Sequence, residues 1–386
     1  MAKLLSDKAI ISVIGLGYVG LPLAEAFSKN FQVIGFDIDA KKVGNLTETR
    51  GSKKFVFTDR PEEIAKADFI LICVPTPLTK SKEPDLSALQ KAAKLVGQNI
   101  KKGSVIVLES TVYPGVTEEI LVPILEKVSG LKCGHQFRIG YSPERVNPGD
   151  DEHTIEKTTK VVAGMDKETA ELIAELYCKV APSVFIAKDI KTAEAAKAIE
   201  NIQRDLNIAL INELAIIFEK MGMNTRDVLE AAATKWNFHR YSPGLVGGHC
   251  IPVVPHYLIF KAMEFGYRPQ IIMAGREINE YMPRYLAELT IKALKGVGTV
   301  IKGSKVLVMG LTYKDNLPDA QDSPIKDTIA ELKESGVLVY GYDPVLDSAE
   351  DMFDIKVVRS LHEAPKVDAV IISVAHDSFK KMKLKD

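Results

Sequence analysis

The first 37 residues carry the pattern that most constrains what this chain can fold into. An apolar run at residues 8–14 leads into a GLGYVG motif at residues 15–20, and a second apolar run at residues 31–37 ends in Asp37. A buried strand, a Gly-x-Gly-x-x-Gly turn, a helix and a strand that ends in an acid about 20 residues later are typical of a Rossmann unit. The pattern therefore predicts a dinucleotide-binding domain built on a parallel sheet.

Each glycine of the motif has its own physical purpose. Gly15 permits the tight turn, Gly17 lets a pyrophosphate approach the backbone, and Gly20 lets the helix and the strand pack closely. The helix N-terminus stabilises the phosphate charge. A carboxylate at Asp37 accepts hydrogen bonds from a ribose diol and repels a 2′-phosphate, which favours NAD over NADP.

Two further predicted strands end in hydroxyl-bearing side chains. Thr76 follows the apolar run at residues 68–74, and Ser110 and Thr111 follow the run at residues 104–109. Ligands bind at the carboxyl edge of a doubly wound sheet, so these hydroxyls are candidate contacts to the cofactor or the reacting group; the alternative is that they cap loops. The predicted cofactor contacts are Gly15, Gly17, Tyr18, Val19, Gly20, Asp37, Thr76, Ser110 and Thr111.

At 386 residues the chain is too long for one ordinary core, and two or three domains are expected. Strand–helix alternation predicts a first sheet domain at residues 1–190. From about residue 191, a stretch without glycine or proline until Gly222 predicts a helix of roughly 30 residues, followed by shorter helices to about residue 300. Such a helix commonly spans two domains and supplies a dimer interface.

A second strand–helix alternation, at residues 301–386, predicts a smaller sheet domain that we expect to lack its last strand and helix. We therefore predict an α/β protein with two Rossmann-like, doubly wound parallel-sheet domains. A long helix and a central all-helical dimerisation region, residues 191–300, join them, so a homodimer is expected.

Composition excludes several classes of partner. The net charge of −1 provides no basic field for nucleic acid or an anionic membrane, and no apolar run approaches the roughly 18 residues of a membrane span. The four cysteines lie far apart and form no CxxC pair, which argues against a zinc ribbon or a disulfide framework. We expect a soluble cytoplasmic protein without a metal.

The predicted reactive site is centred on Cys250. This cysteine directly follows a Gly-Gly-His loop, where a small backbone lets a substrate come close to the sulfur. Cysteine is readily turned into a nucleophile near neutral pH. Combined with a dinucleotide site, it predicts an oxidation that passes through a thioester.

Three polar residues share one face of the predicted long helix. Lys197 and Asn201 are one turn apart, and Arg204 lies one further turn along. An ammonium and an amide side by side can donate hydrogen bonds to a developing oxyanion. The alternative is an ordinary solvated helix face.

Glu144 follows another predicted strand end, in a proline-bounded turn suited to positioning a water or taking a proton. His249 is a less favoured base for Cys250, because adjacent side chains usually point apart. A zinc site made from His249, Cys250 and His256 lacks a fourth ligand at a plausible spacing.

Several motifs, taken in order along the chain, resemble the UDP-glucose/GDP-mannose dehydrogenase family. They are GLGYVGLPLA with Asp37, VPTPL, ESTVYPG, SPERVNPGD, AKAIEN, TKWNF, GLVGGHCIPV and GLTYK. The resemblance covers essentially the whole chain. SPERVNPGD, TKWNF and GGHCIP are most similar to the branch that acts on UDP-N-acetylhexosamines, namely the UDP-N-acetylglucosamine and UDP-N-acetylgalactosamine 6-dehydrogenases.

The resemblance implies a reaction and a set of roles. The family oxidises C6 of the sugar twice, from alcohol to acid, with two NAD⁺ and one cysteine, which Cys250 matches. By position, Lys197 and Asn201 match the oxyanion-stabilising pair, Glu144 the glutamate of thioester hydrolysis, and Thr111 a threonine that helps to place its water. The implied substrate contacts are Glu144, Arg145, Val146, Asn147, Lys197, Asn201, Arg204, Gly247 and Lys314, the last matching a lysine near the nucleotide-sugar site.

Three positions depart from the family pattern. Val254 stands where the family usually has an aspartate four residues after the cysteine, Gln321 stands for an arginine, and Ser242 stands for an arginine that reaches the partner's site in relatives; Arg240 is an uncertain substitute. Three hypotheses follow. The favoured one is a UDP-N-acetylhexosamine 6-dehydrogenase, and the others are a UDP-glucose 6-dehydrogenase and a nucleotide-sugar-binding protein with little activity.

Overall fold

The computed structural model describes residues 8–145, 154–346 and 350–382. They divide into two compact units. The first runs to Glu200 and includes His256–Tyr267, and the second contains Asn201–Pro255 and the chain from Arg268 onward. The boundary between the units therefore falls inside the long helix.

The first unit is built on a single sheet. Its described strands are β1 (Ile10–Ile14), β2 (Gln32–Phe36), β3 (Phe55–Thr58), β4 (Phe69–Ile72), β5 (Val105–Leu108), β6 (Arg138–Tyr141), β7 (Lys160–Gly164) and β8 (Val184–Ile186). Among the described residues their order is β3-β2-β1-β4-β5-β6-β7-β8. The order of the first five is that of a Rossmann fold, with the switch point between β1 and β4.

Helices connect these strands. They are α1 (Gly20–Ser28), α2 (Ala40–Arg50), α3 (Ser87–Asn99), α4 (Val122–Ser129) and α5 (Lys167–Tyr177), with a 3₁₀ turn at Pro61–Lys66 and a π turn at Thr117–Leu121. Two aspartates fix helix starts: Asp39 accepts the backbone N–H groups of Lys41 and Lys42, and Asp166 accepts that of Thr169. The π turn at Thr117–Leu121 leads directly into α4.

The central strands are apolar throughout because helices cover both faces of the sheet. Every residue of β4 and β5 is fully buried, whereas a strand with one wet face would alternate. Each large side chain buried in this way contributes roughly 1.5–3 kcal/mol. This core fixes the strand ends, on which the candidate site lies.

Two features of the sheet differ from the sequence-based prediction. β7 runs antiparallel to β6, whereas we expected a parallel sheet throughout. An antiparallel neighbour needs no crossover helix, and the sequence between these strands carries no helical pattern. The edge strands β3 and β8 were not predicted, because they are only four and three residues long and their patterns are short.

The helical part of the chain is α6 (Ile190–Lys220), α7 (Thr225–Ala232), α8 (Val254–Glu264) and α9 (Gln270–Gly296). At 31 residues, α6 confirms the predicted long helix. In the second unit, α6 and α9 share a buried polar network in which Arg276 pairs with Asp205 at 2.7 Å. The amide of Asn212 donates to Asn279 at 2.8 Å.

The second unit carries its own parallel sheet. Its elements are β9 (Lys305–Met309), α10 (Ile325–Glu334), β10 (Leu338–Tyr342), α11 (Glu350–Phe353), β11 (Lys356–Val357), a 3₁₀ turn at Leu361–Glu363, β12 (Ala369–Ile372) and α12 (Asp377–Lys380). Among the described residues the order is β11-β10-β9-β12, which repeats the 3-2-1-4 order of the first sheet. The predicted fold class is confirmed.

Candidate active site

The glycine loop between β1 and α1 has a backbone that tolerates no side chain at two positions. Gly15 has a φ of +94°, and a Cβ there would lie 2.8 Å from the carbonyl oxygen of Cys73. A Cβ on Gly20 would lie 1.8 Å from the carbonyl oxygen of Gly15. By contrast, apart from its chain neighbours, no atom of the described residues lies within 4 Å of a Cβ built on Gly17. The face over Gly17 is open, as the approach of a pyrophosphate requires.

The carboxylate of Asp37, directly after β2, is fixed from three sides. Its Oδ2 accepts the backbone N–H of Leu16 at 2.9 Å and Nζ of Lys42 at 2.9 Å, and its Oδ1 accepts the N–H of Asp39 at 3.0 Å. Burial raises the pKa of Asp37, but these three hydrogen bonds outweigh it and leave the pKa below its ordinary value. An ionised carboxylate here fits the ribose diol of NAD.

Lys42 is a residue that the sequence reasoning missed. It lies in the first turn of α2, five residues after Asp37, and its side chain is 41% exposed. The signal was present in the sequence, since a basic residue soon after an acid at a strand end can reach back to that acid.

The hydroxyls at the ends of β4 and β5 tie loops together. Ser110 Oγ donates to the carbonyl of Val74 at 2.6 Å, and Thr76 Oγ1 donates to the carbonyl of Thr111 at 2.7 Å. Their protons are used in the loop-capping role, which leaves oxygen lone pairs for a ligand. Tyr18 is 59% exposed at the glycine loop, and Val19 packs partly on the core. Cofactor contact by these residues stays a prediction.

The Glu144 turn follows β6 and is anchored by its neighbour. Arg145 donates to the carbonyl of Thr159 at 2.7 Å and pairs with Glu200 of α6 at 2.9 Å. The N–H of Arg145 also donates to Oε1 of Glu144 at 2.7 Å. Both side chains are half-buried. Two predicted substrate contacts, Val146 and Asn147, lie outside the described residues.

The predicted oxyanion pair lies on α6, one turn apart. Lys197 is only 9% exposed, so this part of the helix is not the solvated face of the alternative interpretation. Asn201 Nδ2 is buried and has no hydrogen-bond partner among the described residues. A buried amide donor without a partner costs free energy unless a ligand accepts its hydrogen bond. Arg204, one turn further, is exposed.

The loop that carries Cys250 packs against the segment just before α10 in the second unit. The N–H of Gly248, whose φ is +86°, donates to the carbonyl of Asp322 at 3.2 Å. A Cβ on Gly247 would lie 2.4 Å from the ring of Pro324, so only glycine fits. The exposed Cys250 ends this loop, and its carbonyl accepts the N–H of Val254, the first residue of α8, at 3.0 Å. Val254 is itself buried.

His249 is held by two carboxylates. Its Nδ1 lies 2.9 Å from Asp322 and its Nε2 lies 3.3 Å from Asp319. Because each ring nitrogen has a carboxylate partner, Asp319 and Asp322 orient the ring. This supports the expectation that His249 is not the base for Cys250. In the sequence, residues 319–323 stand out only because Gln321 replaces an arginine of the family. The pairing of His249 with Asp319 and Asp322 was therefore not predicted.

The start of the Cys250 loop is fixed by the buried network of α6 and α9. The Asn212 side chain exchanges two hydrogen bonds with the backbone of Gly244, at 2.8 and 3.0 Å. The same amide contacts Asn279, which in turn donates to Asp205. A polar cluster of this kind, with several fixed partners, restrains the start of the loop.

The last predicted contact, Lys314, follows the carboxyl end of β9 and is half-buried. Its carbonyl accepts the hydroxyl of Thr312 at 2.9 Å. The position at the edge of the second sheet, near its switch point, is one where doubly wound sheets bind ligands.

The four cysteines differ in their reactivity. Burial raises the pKa of Cys73 well above its ordinary value and that of Cys133 to about 11. Cys178 and Cys250 are exposed. Among the described residues, no group of three His, Cys, Asp or Glu side chains is arranged to hold a metal ion. None of the described helices is long and apolar enough to cross a membrane.

Comparison with known proteins identifies the family. Three domain models of the UDP-glucose/GDP-mannose dehydrogenase family match the chain: the NAD binding domain at residues 9–181, the central domain at 191–281 and the UDP binding domain at 307–386. The chain is 47% identical to Protein CapL of Staphylococcus aureus, over 97% of this chain and 91% of that protein. It is 44% identical to UDP-N-acetyl-D-glucosamine 6-dehydrogenase of Salmonella typhi, over 98% and 93%.

A solved structure has the same fold over nearly the full length. The structure of UDP-D-ManNAc dehydrogenase from Pyrococcus horikoshii superposes with a TM-score of 0.88 at 32% identity, covering 97% of this chain and 91% of that one. The chain belongs to the UDP-glucose/GDP-mannose dehydrogenase family. It is an NAD-dependent nucleotide-sugar dehydrogenase with a UDP-sugar substrate.

Proposed function

We propose that this protein oxidises C6 of a UDP-N-acetylhexosamine, UDP-GlcNAc or UDP-GalNAc, to the uronic acid. The proposal is supported by the similarity over nearly the whole chain to UDP-N-acetyl-D-glucosamine 6-dehydrogenases. The observation that carries it is the exposed thiol of Cys250, at the end of a glycine loop whose backbone leaves no room for larger residues. The product would serve the assembly of surface polysaccharide.

In the proposed mechanism, the sulfur of Cys250 adds to the C6 aldehyde and forms a thiohemiacetal. When bound, NAD⁺ accepts one hydride from C6 in each of the two oxidations. Loss of the second hydride leaves a thioester on Cys250. Water then adds to the thioester carbonyl, the C–S bond breaks, and the acid leaves while the sulfur returns as thiolate.

The other predicted residues stabilise the developing charge, accept a proton, place the water or attract the substrate. The ammonium of Lys197 and the amide of Asn201 donate hydrogen bonds to the oxygen on C6, where negative charge develops in both tetrahedral species. Each such donor contributes roughly 2.7–4 kcal/mol. Glu144 accepts the proton of the attacking water, which Thr111 helps to place. Arg204 and Lys314, being cationic, attract the diphosphate.

A substrate panel tests the proposal. Purified protein is given UDP-glucose, UDP-GlcNAc, UDP-GalNAc or UDP-ManNAc with NAD⁺, and NADH is counted per sugar consumed. We expect two NADH per UDP-N-acetylhexosamine and little oxidation of UDP-glucose. Preferred oxidation of UDP-glucose contradicts the substrate assignment, and one NADH per sugar contradicts the route to the acid.

A pair of cysteine variants tests the covalent step. Cys250→Ser is expected to abolish steady acid formation and leave NAD binding intact, because serine is a far weaker nucleophile. Cys178→Ser is the matched control, since Cys178 is also exposed but lies in the first unit, after α5. Normal uronate formation by Cys250→Ser removes cysteine from the mechanism.

One specific observation favours a second candidate function, a nucleotide-sugar-binding protein of low activity. Val254, the residue in the position of the family's aspartate, is buried and starts α8. If the lack of this aspartate impairs the protein, Val254→Asp will raise the turnover rate strongly. An unchanged or lower rate in Val254→Asp excludes that candidate.

We further propose a homodimer that forms through α6 and acts in the cytoplasm. Leu210 and Ile217 are exposed on α6, seven residues apart on one face, and the exposed Met221 directly follows the helix. None of the four cysteines, all of which lie in the described part of the chain, forms a disulfide bond, which supports a reducing compartment. Ile217→Glu should convert a dimer into a monomer in light scattering, whereas a monomeric wild-type protein contradicts this assembly.

A further inference from the structure

A buried ion pair lies beneath the Glu144 turn. Lys160, the first residue of β7, is 3% exposed, and its Nζ lies 2.6 Å from Oε2 of Glu109. Glu109 directly follows β5 and is completely buried. The hydroxyl of Tyr177, the last residue of α5, donates to the other oxygen of Glu109. Neither Glu109 nor Lys160 has a role in the proposed chemistry so far.

The pair is also attached to the turn itself. Nζ of Lys160 donates to the carbonyl of Pro143 at 2.9 Å, immediately before Glu144. Although burial lowers the pKa of Lys160, the charges of Glu109 and Glu144 raise it above its ordinary value. The ammonium therefore stays protonated and bridges the end of β5 to the turn.

This contact is one of several hydrogen bonds between the turn and the segment around β7. Ser142 donates its hydroxyl to the carbonyl of Val161 at 2.9 Å, and Arg145 donates to that of Thr159 at 2.7 Å. The antiparallel direction of β7 allows the turn to run back along it. The contact on Pro143 is made by a buried charge, and it fixes the residue next to the predicted base.

Stability does not require such a pair. Two charges taken out of water lose hydration that their attraction often fails to return, and apolar residues of similar size are commonly as stable. A buried cation on the carbonyl of Pro143 does restrain the direction in which Glu144 leaves the turn. The geometry is that of a support for a reacting group.

We propose that Lys160 and Glu109 are positioning residues that orient Glu144 for hydrolysis of the thioester on Cys250. This inference rests on the proposed function. Water adds to the thioester carbonyl, Glu144 takes its proton, the C–S bond breaks and the thiolate leaves. Lys160 and Glu109 neither gain nor lose a proton in this step, and no further reactant is needed.

Rapid mixing of Lys160→Met with NAD⁺ and UDP-GlcNAc tests the inference. We expect a fast burst of two NADH per active site, followed by steady turnover about 100-fold slower than that of the wild-type protein, which is the effect of misplacing a reacting group by about 1 Å. Mass spectrometry of the quenched protein should detect the acyl adduct on Cys250. The dissociation constant of NAD should not change.

Three further variants separate positioning from stability. Lys167→Met, a control at an exposed lysine of α5, should behave like the wild-type protein. Lys160→Arg keeps a cation and should recover part of the steady rate. The double variant Lys160→Met with Glu109→Leu removes both buried charges, so it should regain thermal stability and still hydrolyse slowly.

The inference is overturned if the double variant regains hydrolysis together with stability, or if Lys160→Met slows the burst and the steady phase equally. These results leave the proposed function standing, because the wild-type protein still forms two NADH per sugar. A wild-type protein that oxidises no UDP-sugar overturns both.

Discussion

The glycine loop gives the sharpest prediction, because replacing Gly17 and replacing Gly20 should be harmful for different physical reasons. A methyl group on Gly17 meets no described atom within 4 Å, whereas a methyl group on Gly20 lies 1.8 Å from the carbonyl oxygen of Gly15. Gly17→Ala should therefore fold normally and bind NAD more weakly. Gly20→Ala should destabilise the first unit itself.

The magnitudes follow from the contacts. In Gly17→Ala the methyl group stands where the pyrophosphate approaches, and the loss of one charge-assisted hydrogen bond at about 1.5–3 kcal/mol weakens NAD binding about 10-fold to 150-fold. In Gly20→Ala, α1 must move away from the turn, at a cost of about 3 kcal/mol for overpacking against backbone. In a unit of this size that lowers the midpoint of thermal unfolding by about 6–12 °C.

Calorimetry and titration with NAD distinguish the two variants. Gly44→Ala is the matched control, because Gly44 is exposed within α2 and a Cβ there meets nothing within 4 Å. This change should raise stability by up to about 1 kcal/mol and leave NAD binding unaltered. Gly17→Ala with normal NAD affinity, or Gly20→Ala with normal stability, refutes the reasoning.

Three further predictions concern single side chains. Lys42→Ala should increase the preference for NAD over NADP by up to about fivefold, since an exposed cation that attracts a 2′-phosphate is lost. The same ratio of the NADP and NAD dissociation constants in the variant and in the wild-type protein contradicts this. Iodoacetamide at pH 8 should label Cys250 well before Cys133, whose thiolate forms only as the pH approaches its pKa of about 11; equal labelling in peptide mapping argues against it. His249→Gln should lower kcat about tenfold with unchanged NAD affinity, because one carboxylate loses its partner and the Cys250 loop loosens; an unaltered kcat shows that the ring orients nothing.

Sequence predicted best where spacing is local. The loop from Gly15 to Gly20 and the end of β2 follow from a motif whose parts lie within one strand–helix–strand unit. The long helix follows from an uninterrupted apolar period. Residues 51 apart, such as Glu109 and Lys160, share no local pattern, so their pairing is visible only after β5 and β7 are placed in one sheet.

The same limit applies to the relative direction of strands and to the contacts that loops make. Apolar runs locate β6 and β7, but nothing in them states that the strands are antiparallel. The pairing of His249 with Asp319 joins residues 70 apart, and no local sequence pattern connects them. Motifs therefore predict which residues carry chemistry, while the contacts that hold those residues in place depend on tertiary structure.

The second sheet shows why a strand that ends in aspartate is not enough for an NAD site. Asp343 follows β10 as Asp37 follows β2, and its Oδ2 accepts the N–H of Leu311 at 2.6 Å, as Asp37 accepts that of Leu16. Here the side chain is fully buried under His376. The Nδ1 of that ring accepts the N–H of Asn316 at 2.9 Å, so its Nε2 carries the proton and donates to Asp343 at 3.2 Å.

Asp343 is thus closed to a ribose, and its replacement should affect folding rather than NAD binding. In Asp343→Asn, one oxygen becomes an NH₂ group; if that group takes the place of Oδ1, it faces the N–H of Val345, which now donates to that oxygen at 3.0 Å. A buried donor left without an acceptor costs about 1–3 kcal/mol, which should appear as a lower unfolding midpoint of the second unit. The matched change Asp37→Asn should weaken NAD binding at least tenfold, because it removes the charge that the ribose diol meets. If Asp343→Asn weakens NAD binding as much as Asp37→Asn does, the two strand ends are functionally alike and the argument from burial is wrong.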